Sequence, residues 1–417
     1  MGYKMPKIYA TPYTARKLEQ ELSNAGLDPN EWPQIFVVAP GRAVSEGPVN
    51  VTPFWVSHST PQSVGFFIET PAGNILHSGD FKLDPSVIWG PAFDETQFKR
   101  IVSKPVDLLL LDSTGAADDG STGSESEVRE TLRDIMSEHR NKRFIIAVMG
   151  GYEETLASVA QVTAENDRTL WICGSAHEQS LAALSDIGMT LRDHIGLREM
   201  RTLGTGKSAR DLIGYQPKDS VIVVTGAQGH TNAVLTRAAE DRSTALQLNP
   251  RTDVVLICGP TMPGQEAQRA KLIAQLKSRG IKVLTHPQAT LYAHAHARLP
   301  EIVDFVKMAN PKNILPIHGA QDQRGTCAAA MTKMGITTLN ANNGDVLKVS
   351  SRYGVKSINP ATKGKPPMLG LKTLQGAKWD ERYYLMVNAP RAEPQPPAAP
   401  ANGNKKHRPK FFNNNGK

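Results

Sequence analysis

The 417-residue sequence predicts an α/β fold, and three observations carry that prediction. Ten short apolar runs of strand length alternate with segments of helical periodicity. Several of the runs end in a small-residue turn bearing a polar side chain, where open α/β sheets place their ligands. No stretch of about 18 apolar residues occurs, so nothing reads as a membrane span.

In chain order the runs are "PQIFVVA", "SVGFFIET", "NILHSG", "VDLLLLDS", "RFIIAVMG", "RTLWICGS", "SVIVVTGA", "DVVLICGP", "IKVLTHP" and "KNILPIHG". Their length and β-branched content fit buried strands. Helices are expected over 125–140, 153–166, 232–241 and 264–280. Residues from about 141 to 290 read as their own β-α-β-α unit. From about 357 the texture changes, and "RAEPQPPAAPANGNKK" is a Pro/Ala-rich segment expected to be disordered.

Hydrophobic residues make up 40% and aromatics 6%, ordinary for a soluble globular protein of two or three domains or one composite domain. Cys173, Cys258 and Cys327 are far apart and never form a CxxC, which argues against both a disulfide framework and a thiolate zinc site. The first residues contain no apolar region followed by a small-residue cleavage site, so the cytoplasm is the expected compartment. A net charge of +8 favours a polyanionic partner. Five of the cations lie in "NGNKKHRPKFFNNNGK", which reads first as a solubilising tail, although Phe411 and Phe412 could stack on nucleotides.

The polar residues at strand ends are His58, Asp80, Asp112, His294 and His296 in "LYAHAHARLPE", and His318. Imidazoles with a carboxylate able to bridge suit zinc or manganese, and such a site lowers the pKa of bound water to about 7. A lone histidine at a strand end is usually structural; this set points to hydrolysis. The turn "TGAQGHTN" joins a strand to a helix through glycines, and its amides at Ala227, Gln228 and Gly229 suit either a tight connection or a phosphate. "GTGKS" at 204–208 has Arg201 where a P-loop needs its first glycine, so Ser208 is expected as a helix cap.

"HSTPQSVGFFIETPAGNILHSGDFKLDP", "LLLLDST", "TGAQGHTNAVLTRAA", "GPTMPGQE", "LPIHG" and "NANNGDVLKV" resemble, in order and spacing, the ribonuclease J group of metallo-β-lactamase/β-CASP nucleases from roughly residue 5 to 350. The resemblance implies a metallo-β-lactamase αββα sandwich with an inserted β-CASP α/β domain, acting on RNA. It implies His58, Asp80 and His318 as metal ligands, Asp80 bridging. Asp112 and His296 would be catalytic, with His296 facing the scissile phosphate and lying 22 residues before His318. Ala227, Gln228, Gly229 and His294 would contact RNA. The implied division is 1–124 and 291–356 for the two parts of the metallo-β-lactamase domain, 125–290 for the β-CASP domain and 357–417 for a C-terminal extension ending in a disordered basic tail.

The sequence also departs from that pattern. No His-x-His-x-Asp-His occurs in the 417 residues, so the metallo-β-lactamase domain is expected to be N-terminally incomplete. Two zinc ions are implied for a complete site, with one or none held by this chain alone and manganese as the alternative. A fragment or split enzyme, completed by a partner chain, is the favoured explanation; an inactive RNA-binding subunit and a DNA-directed nuclease are the alternatives. A homodimer is also open, since residues 357–388 could be a remnant of a C-terminal domain. "YAHAH" puts Tyr292 and His294 in place of the usual histidine and serine, and "VMGGYEET" puts Glu153 and Glu154 where RNA-favouring groups are expected.

Overall fold

The computed structural model describes residues 7–343, 345–358 and 384–386. The expected tail and most of the expected 357–388 remnant lie outside the described residues. Two larger sheets organise the chain. One has seven strands in the order Thr337–Thr338, Asn313–Ile317, Leu108–Asp112, Asn74–His77, Val64–Glu69, Val49–Trp55 and Val44–Glu46. Its first four strands are parallel and the rest antiparallel. Alternation sorts its side chains: Phe54, Phe67, Leu76, Leu109, Leu111 and Ile314 face Phe305 and Val306 of helix Leu299–Ala309. On the opposite face Ile75, Leu108, Leu110 and Leu315 meet Leu347 and Val349 of strand Val346–Ser350.

The other sheet is fully parallel, in the order Met200–Thr202, Thr169–Cys173, Ser220–Val224, Arg143–Val148, Asp253–Cys258 and Lys282–Thr285. Helices cover both faces, so runs such as "RFIIAV" are buried at nearly every position instead of alternating. A separate parallel pair joins Lys7–Ala10 to Gln34–Val37.

Register positions the strand ends. Ile317 pairs with Asp112, and Leu110 with His77, so the turns following three adjacent strands open at one edge. An isolated bridge between Ser57 and Lys82 brings the loop after Val49–Trp55 to the same place. One expectation is corrected: helix Lys207–Ile213 is capped at Gly206, and the Ser208 hydroxyl instead accepts the Gly204 amide at 2.9 Å. The glycine's left-handed backbone makes the turn there, which leaves Ser208 inside the first turn. Among the described residues no helix is long and apolar enough to cross a membrane.

Candidate metal centre

The turn "SGD" is shaped by its own polar groups. His77 Nδ1 accepts the Gly79 amide at 2.9 Å, and the Ser78 hydroxyl accepts the Asp112 amide at 2.9 Å. Gly79 has φ of 67° and a Cβ there would lie 2.4 Å from the Val64 carbonyl oxygen, so only glycine allows this turn, which carries Asp80. On the neighbouring strand Ser113 donates to the carbonyls of Ile317 and His318 at 2.9 and 2.8 Å. That tie helps hold His318 at φ of 56°, a conformation unusual for a non-glycine residue.

Asp80, Asp112, His296 and His318 each place one ligand atom within 4.8 Å of the others. Asp112 is buried and organises the group. Its Oδ2 accepts His296 Nδ1–H at 2.7 Å, and its Oδ1 accepts the Thr114 amide and hydroxyl at 3.0 and 2.8 Å. His318 Nδ1 lies 3.0 Å from the Thr114 hydroxyl, 3.3 Å from Asp80 and 3.4 Å from Asp112. Asp80 and His318 are solvent-exposed, so the group opens outward.

The charges follow from this geometry. Hydrogen bonds to Asp112 and then Asp80 push His318 up to about 10 against its partial burial. Burial alone would raise Asp112, but its bonds to His296 and His318 hold it far below the usual carboxylate range. Asp80 is likewise opposed by burial and lowered by His318. His58 stands beside the group, edge-on to His296 with ring centroids 5.1 Å apart, and is not one of the four. Burial, then the neighbouring His296, lowers it to about 4, so it is neutral at pH 7. Its Nδ1 lies 2.7 Å from the Ala295 carbonyl, which can only accept; the proton is therefore on Nδ1 and the Nε2 lone pair is available to a cation.

Two carboxylates and two imidazoles are a donor set for zinc or manganese. Bonds of about 2.0–2.2 Å place tetrahedral ligand atoms roughly 3.3–3.6 Å apart. The four ligand atoms lie within 4.8 Å of one another, wider than that edge, and the fit of these residues to an ion rests on their donor chemistry.

The other expected contacts lie elsewhere. His294 Nε2 accepts Arg298 Nη2–H at 2.8 Å, and burial, then Arg298, lowers it to about 4. Ala227 and Gln228 are buried; the Gln228 amide donates to the Pro260 carbonyl at 2.7 Å and its carbonyl oxygen accepts the Met262 amide at 3.2 Å. The Gly229 amide closes its own turn onto Gly226 at 3.0 Å. Sequence reasoning missed Thr114, adjacent to a motif but with no signal of its own, and Arg298, one turn beyond His294.

Known proteins resemble this chain over most of its length. Residues 141–276 match the family "Ribonuclease J, beta-CASP domain", and residues 280–341 match "Zn-dependent metallo-hydrolase RNA specificity domain". The chain is 28% identical to Ribonuclease J of Sinorhizobium meliloti over 84% of its own length and 59% of the relative's. It is 28% identical to Ribonuclease J of Thermus thermophilus over 82% and 58%, and 29% identical to that of Corynebacterium glutamicum over 69% and 38%. The chain thus spans less than two thirds of these relatives. A crystal structure of a protein of unknown function from Enterococcus faecalis V583 superposes with a TM-score of 0.55 at 14% identity, covering 80% of this chain and 73% of the other, a likeness of fold.

Proposed function

Since this chain is a ribonuclease J-like protein of the metallo-β-lactamase/β-CASP group, we propose that it carries the nucleolytic centre of a metal-dependent RNA hydrolase acting in the cytoplasm, 5′-to-3′ and also endonucleolytically. The observation that carries this reading is the convergence of Asp80, Asp112, His296 and His318 from distant parts of the chain. Asp80 and His318, with His58 alongside, are the proposed ligands of a zinc ion, manganese being the alternative. A bound divalent ion would supply Lewis acidity and an activated water.

The chain's own groups supply the rest. Asp112 fixes His296 through Nδ1, so that Nε2 is the nitrogen left to hand a proton to the leaving oxygen of the phosphodiester. Thr114 and Asp112 together orient His318. His294, braced by Arg298, is the proposed RNA contact; at the other expected contact Ala227 and Gln228 are buried and the Gly229 amide is used within the turn, which favours the tight strand-to-helix connection over a phosphate site there. The proposed domain division at 124, 290 and 356 is supported by the parallel sheet, whose six strands all lie between residues 143 and 285. The set is too small for two ions, and we propose that a segment carrying the remaining ligands, from the same protein or from a partner polypeptide, completes the site.

The test is cleavage of 5′-monophosphorylated RNA with zinc or manganese, by the chain alone and with a segment carrying His-x-His-x-Asp-His. His318→Ala is expected to abolish cleavage and to leave RNA affinity within about threefold. RNA bound but never cut under either condition would replace this reading with a binding subunit.

A further inference from the structure

The residues standing where the resemblance expects RNA-favouring groups, Glu153 and Glu154, face inward, at 7% and 1% exposure. Glu154 is a carboxylate with three consecutive backbone donors. Its Oε2 accepts the amides of Ile88 and Trp89 at 2.6 and 3.1 Å, and its Oε1 accepts that of Gly90 at 2.8 Å. The Glu154 amide in turn donates to the Ser59 carbonyl at 3.1 Å, one residue from His58. The same helix, Glu153–Glu165, brings Thr155 and Ser158 to the carboxylate of Glu125 at 3.0 and 2.8 Å. The Glu125 amide reaches Asp84 at 2.8 Å, and Asp84 pairs with the buried Lys82, two residues from Asp80, at 3.0 Å.

One helix of the parallel-sheet unit is therefore fastened to the two chain segments that carry His58 and Asp80. Three amides on one buried carboxyl group form a grip that a carboxamide does not reproduce, because it presents one acceptor oxygen and turns donors toward the third amide. We propose that Glu154 is a positioning residue for the metal centre: it touches neither ion nor RNA, and its grip on residues 88–90 keeps the His58 and Asp80 turns at ligand spacing. This rests on the proposed metal centre and adds the group that holds it in shape.

The Lys82 amide is the reporter, since it donates to the Ser57 carbonyl at 2.8 Å and so closes the contact between the two turns. Amide hydrogen exchange is measured on the full chain, without metal, for wild type, Glu154→Gln and Glu154→Ala, well below each protein's Tm. Exchange at Ile88, Trp89 and Gly90 is expected to accelerate in both variants. The Lys82 amide is expected to exchange at least tenfold faster in Glu154→Ala and less so in Glu154→Gln, with manganese affinity by titration weakened in the same order. Acceleration confined to residues 88–90, with Lys82 protection and manganese affinity at wild-type values, would overturn the proposal and leave Glu154 a local structural residue. Glu154→Gln alone decides the matter if the alanine variant does not fold. The exchange measurement needs no cleavage, so a failure of the RNA hydrolase reading is seen separately.

Discussion

Replacing Lys82 with methionine tests the packing beneath the centre. Lys82 is fully buried, with Nζ 3.0 Å from Asp84 and 3.8 Å from Glu125, whose side chains are also buried. Methionine preserves most of the volume, so the change is mainly electrostatic. Two carboxylates then share a dry site without a cation. Burial, the dominant influence, already raises Glu125, with Lys82 the chief opposing group, so the variant drives Glu125 toward protonation. Breaking a buried pair by removing one partner typically costs about 3–5 kcal/mol. The surviving bonds to Asp84 from Ser86 and to Glu125 from Thr155 and Ser158 place the loss at the lower end, about 3 kcal/mol. Urea unfolding followed by circular dichroism at pH 7.5 measures it. Adding Glu125→Gln to the variant removes one of the stranded charges and is expected to recover at least about 1 kcal/mol. A loss below about 1 kcal/mol for Lys82→Met, or a Glu125→Gln cost that is the same in both backgrounds, would refute the reasoning.

Other outcomes follow from the same geometry. A Cβ at Gly115 would lie 2.3 Å from the Ala297 carbonyl oxygen, backbone against backbone; Gly115→Ala is expected to cost about 1–3 kcal/mol in thermal unfolding. It should also depress cleavage more than RNA binding, since it parts Asp112 from His296. Burial raises Glu154 to about 7 from 4.5 while its bonded amides oppose that rise. A raised carboxylate stabilises the fold below its unfolded value, and that stability is lost as pH climbs through about 7. At about 1.4 kcal/mol per pH unit, wild type should lose on the order of 3 kcal/mol relative to Glu154→Gln between pH 4.5 and 7. Parallel stability curves for the two proteins would contradict this. Manganese or zinc at 100 times its Kd should stabilise wild type by about 2.7 kcal/mol in thermal melts, and an Asp80→Ala/His318→Ala double variant should not respond.

Much of this architecture is readable from the chain. The ten apolar runs all contain strands, because buried parallel strands write themselves as continuous Val, Ile and Leu. Strand Val49–Trp55 is not legible locally: "VNVTPFW" carries a proline and two polar residues, and its place follows from pairing with Val64–Glu69. Helix Pro12–Asn24 has few buried residues, Tyr13 and Ala15, so its sequence announces little. At the centre, Asp80, Asp112, His296 and His318 stand out because polar groups at strand ends are few. Thr114, Glu154 and Lys82 do not, since their roles arise from partners up to 204 residues away, which no local pattern encodes.

The Asp112–Ile317 register has a consequence for synthesis. Neighbouring strands of one sheet are separated in the chain by the entire parallel-sheet unit. At about 5–20 residues per second on the ribosome, the strand ending in Asp112 waits roughly 10–40 s for its hydrogen-bonding neighbour. During that interval the Leu108–Asp112 edge is open and apolar, a natural client for chaperones, and the nascent polypeptide cannot bind an ion through His318.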